Sequence, residues 1–267
     1  MSEAAMMEPR TEWTGEATMP ASRTLRAYLT EAKYESLRML RTPSFAAIFL
    51  SLPVLLYLFF AVVLFGSALR TDKNAAIAVF TGFSVFGVIG PAMFGFGVTI
   101  AIEREQGLLQ LKRALPMPSA SYLVAKMSMA VLFAAIIMVS MEIAAVFIAH
   151  VPLTPAAAVS IGLINTFGAL PFCAIGLFIG SLVKGSAAPG FTHLIYLPMV
   201  YLSGLFFPLP HSLQVVAPIW PAYHLDCLIF AAAGGPRNGQ ASVHIGALIG
   251  VTVLFGLLSW RSLRRAG

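Results

Sequence analysis

Charge is what this sequence has least of. Lys, Arg, Asp and Glu together make up 10% of its 267 residues, where a soluble domain carries roughly a quarter. The shortage excludes an ordinary water-facing surface, and 58% hydrophobic residues with a mean hydropathy of +0.85 take its place. Cysteine is nearly missing too. Cys173 and Cys227 provide neither a disulfide framework nor metal-ligand spacing, so both read as unpaired small apolar residues. No lysine follows a glycine, so the Gly-x-x-x-x-Gly-Lys loop that cradles nucleotide phosphates is missing and the chain binds no cofactor of its own. There is no His-Glu-x-x-His, no paired carboxylate and no Gly-x-Ser-Gly, and His150, His193, His211, His224 and His244 stand at no ligand spacing. An intramembrane enzyme is therefore disfavoured.

What is present is a series of long apolar runs, charge-free except for the third, which holds Lys126 near its start and Glu142 inside. A bilayer-spanning helix needs about 20 apolar residues, and the runs predict an all-α integral membrane protein with six spans, at 45–66, 75–102, 123–149, 156–183, 186–207 and 241–260. Glycines and Pro91 in the second run predict a kinked, closely packed helix. Between the fifth and sixth spans, Pro208, Pro210, Pro218 and Pro221 forbid one continuous helix. The neighbouring Phe206, Phe207, Trp220 and Tyr223 favour the membrane interface, which suggests short interfacial or re-entrant helices. The first apolar run begins at Phe45 and is too long for a cleavable leader, so the first span is expected to stay in the mature protein.

Positive charge sets the orientation. With the amino terminus inside, 14 of the 17 Lys and Arg fall on the inner side and only Arg70, Lys73 and Arg237 outside. That asymmetry predicts a multi-pass protein with both termini cytoplasmic. It also accounts for the net charge of +6 without nucleic acid. Residues 1–22 read as a disordered tail, and 261–267 as a basic one. Over 23–44, Leu25, Tyr28, Leu29, Ala32, Met39 and Leu40 share one helical face, while Glu31, Lys33, Glu35 and Arg38 lie largely off it. This predicts an amphipathic helix resting apolar side down on the inner surface, broken by Thr42 and Pro43. The only long inner loop, Glu103 to Pro118, reads as a short helix whose Leu108, Leu109 and Leu111 could enter a groove on another protein, or as a plain solvated hairpin.

These features together resemble the ABC-2 family of ABC-transporter permeases. The resemblance rests on the amphipathic helix and on Glu103, Glu105, Gly107, Leu108, Leu111 and Pro116 followed by Lys126. The Leu202 to Pro208 and Pro218 to Leu225 runs support it. It implies a membrane half-transporter of a bacterial-type plasma membrane, with export as its direction and lipid-like, drug-like or polymer cargo. It also implies a second permease copy, the same or a related chain, and an ATP-binding subunit, in two copies, that holds ATP and Mg. Glu103, Arg104, Glu105, Gln106, Gly107, Leu108, Leu111 and Lys112 become the residues that couple to that ATPase. By resemblance, spans one, two and five form the path, with Phe206 and Phe207 at its outer mouth.

Glu142 reads as the one formal charge deep in a span. It is either a substrate or proton contact or a paired packing residue. Thr99, Ser140, Asn165, Thr166, Thr192 and His193 could line a path or simply join helices. Gly176-x-x-x-Gly180 and Gly246-x-x-x-Gly250 mark close packing against an unidentified surface. A stand-alone proton-coupled transporter using Glu142, with His193, is the alternative reading.

Overall fold

The computed structural model describes residues 21–114, 121–207, 209–236 and 238–265; among these there is no strand. The expected tail up to residue 20, Pro116, Pro118, Pro208, Arg237 and the last two residues lie outside the described set.

Helix α1 (Ala21–Leu40) is the predicted amphipathic helix. Thr42 then occupies the N-cap of α2 (Pro43–Leu58), and Pro43 sits in its first turn, where a missing N–H costs nothing. Wide π-type turns over Phe59–Leu64 carry α2 onward. The second span, α3 (Lys73–Glu105), starts at Asp72, whose carboxylate accepts from the backbone N–H groups of Asn74 and Ala75. The ladder widens again over Pro91–Val98, where the proline removes one backbone donor. Gly107, at φ +73, turns the chain into α4 (Leu108–Ala114). Next come α5 (Ser121–Ile148) and α6 (Pro155–Leu182), the second capped by the Thr154 hydroxyl.

Helix α6 is the hub, packing against α3, α5 and the two helices that close the fold. Its Gly176 and Gly180 lie against α3. A Cβ on Gly180 would stand 2.0 Å from the Gly97 carbonyl oxygen, and one on Gly97 2.5 Å from that of Gly176. This glycine pair therefore joins helices within the chain. Around Gly246 and Gly250 nothing lies within 4 Å, so that stripe faces outward.

Two boundaries differ from the hydropathy reading. The run at 186–207 yields α7 (Ala188–Leu202), 15 residues and about 22 Å at the usual rise. Gly204, at φ +76, then turns the chain. A short stretch His211–Ile219 meets α8 (Pro221–Ala232) at 98°, as the clustered prolines require. Among the described residues, five helices are long and apolar enough to cross a membrane, six if that bent pair counts as one span. The last helix, α9 (Ala241–Arg265), runs past Trp260 through the first five residues of the expected basic tail, with the Arg264 guanidinium 5.0 Å from the Trp260 ring centre.

The bent segment is tied to α9 by two histidines. His224 and His244 meet Nδ1 to Nδ1 at 2.9 Å, and each turns its Nε2 to a backbone carbonyl, Pro218 at 2.9 Å and Asn238 at 2.6 Å. Carbonyls only accept, so both Nε2 atoms carry protons. The Nδ1 contact is a hydrogen bond only when one ring holds a second proton. Sequence spacing had not joined these two.

Candidate functional site

Lys126 stands near the start of α5 at 0% exposure. An ammonium that deep needs partners, because an unpaired buried charge costs several kcal/mol. Glu35 of α1, 6% exposed, and Glu103 at the end of α3, 3% exposed, supply them. Lys126 Nζ donates to Glu35 Oε1, and to Glu103 Oε1 at 3.1 Å. Arg38 of α1 reaches the same two carboxylates, Glu35 at 3.2 Å and Glu103. Tyr122, one turn before Lys126, donates its hydroxyl to the other oxygen of Glu103. Lys112 of α4 closes the set on Glu31 at 2.5 Å and Glu35 at 3.7 Å. The Lys112 and Lys126 ammonium groups lie 4.7 and 5.3 Å from the centre of the Tyr122 ring. Three carboxylates face three cations, so the network is neutral.

Periodicity assigned Glu31, Glu35 and Arg38 to the solvated side of α1; the structure turns Glu31 and Glu35 inward, while Arg38 stays exposed and reaches the two carboxylates from the rim. Thr24, Tyr28, Glu31, Glu35 and Met39 form the stripe that packs inward, while Leu25 and Leu29 remain exposed. Hydrophobicity alone cannot see that a carboxylate is the better core residue where a buried ammonium waits. Lys126 at the head of an apolar span was the available signal, since such a group demands counter-charges.

The loop residues separate into two groups. Glu103 and Lys112 point into the network. Arg104 donates to the Ser181 carbonyl, and to that of Val183 at 2.7 Å, so it caps the end of α6. Gly107 makes the turn, and Leu109 packs on the chain's own core beside half-buried Leu108. Glu105, Gln106, Gln110 and Leu111 are exposed, Leu111 at 65%. These four make the outward face that the network and the Arg104 cap hold in place.

The path candidates do not converge on one point. Glu142 is half-buried, its Oε1 sealed and without a hydrogen-bond partner among the described residues, opposite Gly162 of α6. Asn165 is fully buried and donates to the Ser84 carbonyl at 3.0 Å, so it joins α6 to α3. Thr99 hydrogen-bonds the Gly95 carbonyl of its own helix. Phe206 stacks 4.9 Å from Phe83 and 5.4 Å from Phe86, whereas Phe207 is exposed. The same aromatic ladder continues through Tyr196, Phe94 and His193. Beside it a cleft of about 230 Å³ opens between α2, α3 and α7, lined by Phe49, Pro53, Phe86, Phe94, His193 and Tyr196. Asp226, in α8, is a second intramembrane-type carboxylate that the apolar look of 209–233 concealed.

The model of the ABC-2 type transporter family matches residues 26–233. The chain belongs to this family. A protein of Bacillus subtilis (strain 168) named "Putative transport permease YvfS" is 30% identical to it over 230 residues, 84% of this chain and 92% of that one. The match spans α1 through α8 and so takes in the whole ion network. The chain is therefore a multi-pass, all-α transporter permease.

Proposed function

We propose that the permease is the membrane half of an ABC exporter, driven by a separate subunit that binds ATP and Mg. The observation behind this reading is the neutral network of Glu31, Glu35, Arg38, Glu103, Lys112 and Lys126, which clamps α1, α4 and the ends of α3 and α5 into one block. Glu105, Gln106, Gln110 and Leu111 on its outer face are the docking surface. A push on that surface reaches α3 and α5 as rigid displacement because the charges between them are paired with one another. Switching the partner between nucleotide states would then bias the spans between two packings.

In this reading both termini are cytoplasmic and the block lies at the inner side of the plasma membrane. The exposed sides of α2 and α9 meet a second permease copy and lipid, and two ATPase copies serve the pair. The cleft between α2, α3 and α7, apolar but for His193, suits lipid-like, drug-like or polymer cargo. The test is co-purification with the ATP-binding subunit followed by ATP hydrolysis in lipid. Leu111→Glu with Glu105→Lys abolishes co-purification while leaving folding intact. Retention of the ATPase by that double variant counts against the surface.

A second reading has its own observation. Glu142, partnerless beside Gly162, could carry a proton in a stand-alone transporter. It predicts transport by the purified chain in vesicles without ATP, and its abolition in Glu142→Gln.

A further inference from the structure

The end of the molecule opposite the ion network holds a polar pocket that the transport reading does not use. Its volume is about 640 Å³, in the range of small-molecule sites. Its walls come from the turn after α7, with Ser203 and Leu209, from Gln214, and from α8 with Tyr223, Asp226 and Phe230, while Asn238 closes one side. Asp226 is the only charged residue among the described lining residues. Its Oδ1 is sealed from solvent and has no hydrogen-bond partner among the described residues. The Thr81 hydroxyl of α3 lies within reach of the carboxylate, but it has a single proton and a competing acceptor in the Ala78 carbonyl at 3.1 Å.

A carboxylate held this way is under-satisfied, and a positive charge in the pocket would correct it. The lining selects which kind. A bare metal ion needs several strong ligands converging on one point, and no group of three His, Cys, Asp or Glu residues that could hold one exists among the described residues. The pocket instead offers one anion, two aromatic rings, a few neutral polar atoms and the apolar side of Leu209. That set fits a weakly hydrated organic cation, its charge against Asp226 and its substituents against the Tyr223 and Phe230 rings.

We propose that this pocket is a binding site for an organic ammonium ion, with Asp226 as its counter-charge and the Tyr223 ring as its platform. The proposal goes beyond the transport reading and needs no ATP-binding subunit, so its failure leaves that reading untouched.

The experiment uses the full chain in nanodiscs of net-neutral phosphatidylcholine and titrates it calorimetrically with benzyltrimethylammonium. Benzyl alcohol and benzenesulfonate serve as neutral and anionic counterparts. The expected result is saturable binding of the cation at one per chain and none of the two controls. Asp226→Asn, which keeps the shape and the Thr81 contact, weakens the cation at least tenfold. Tyr223→Leu, which keeps the charge and removes the ring, weakens it severalfold. Absence of cation binding to the unaltered chain, equal binding of benzyl alcohol, or full affinity in Asp226→Asn overturns the proposal. Should Asp226→Asn fail to fold, undiminished binding in Tyr223→Leu overturns it alone.

Discussion

Replacing Lys126 by Met keeps the unbranched stem of the side chain, one atom shorter, and deletes one charge from a site with 0% exposure. The neutral set of three carboxylates and three cations then carries one uncompensated negative charge. Glu103 keeps Arg38 and Tyr122, whereas Glu35 is left with Arg38 at 3.2 Å and Lys112 at 3.7 Å. Removing one partner of a buried pair costs about 3–5 kcal/mol, and the lower end applies here because each carboxylate retains other contacts. A loss of about 3 kcal/mol in the docking of α1 raises its undocked population on the order of 150-fold, at tenfold per 1.4 kcal/mol. Amide hydrogen exchange across Ala21–Leu40, measured in lipid nanodiscs, should accelerate by up to that factor in the inward stripe around Glu35 and Met39. Adding Glu35→Gln restores neutrality, so the double variant should recover part of the protection. Unchanged exchange in Lys126→Met, or strictly additive losses in the double variant, would refute a network that stabilises through mutual charge compensation.

Other parts of the molecule give equally definite expectations. Gly180→Ala puts a methyl against the Gly97 backbone and forces α3 and α6 apart, a cost of about 1–3 kcal/mol for overpacking, whereas Gly250→Ala meets open space. Thermal unfolding of the two variants should separate them, and equal midpoints would contradict the assignment of Gly176 and Gly180 to the α3–α6 contact. Arg104→Met strips two carbonyls of a charged donor, worth about 1.5–3 kcal/mol each at most. It should raise exchange at the last turn of α6 without disturbing α1. His244→Leu removes one side of the His224–His244 contact and should loosen the bent segment against α9. Faster amide exchange across Pro221–Ala232 is the expected result, and unchanged exchange would dismiss the tie.

The sequence by itself determined the solvent. Runs free of charge, about 20 residues or longer, leave bilayer-spanning helices as the only way to satisfy the backbone. This property is additive along the chain, which is why α3, α5, α6 and α9 lie close to where hydropathy put them. Proline chemistry, equally local, announced the break between α7 and α9 and the turn at Pro43. The loop after the second span was legible as a unit for the same reason.

Tertiary structure decided who faces whom. Glu35 and Lys126 are 91 residues apart, Arg38 and Glu103 65, and no local period says which side of α1 turns inward. Hydrophobic patterning rewards burying Leu25 and Leu29, but the buried ammonium of Lys126 outweighs that preference. Of two identical glycine spacings, one became an internal contact and the other an open face, because only the packing of α6 on α3 supplies a second backbone at that distance. Asp226 remained hidden for the opposite reason. Its neighbours in sequence are apolar, and its pocket is assembled from α8 and from chain nine or more residues away on both sides. Interactions that depend on the rotation of one helix against another are pairwise and long-range, so they become visible only once the helices are packed.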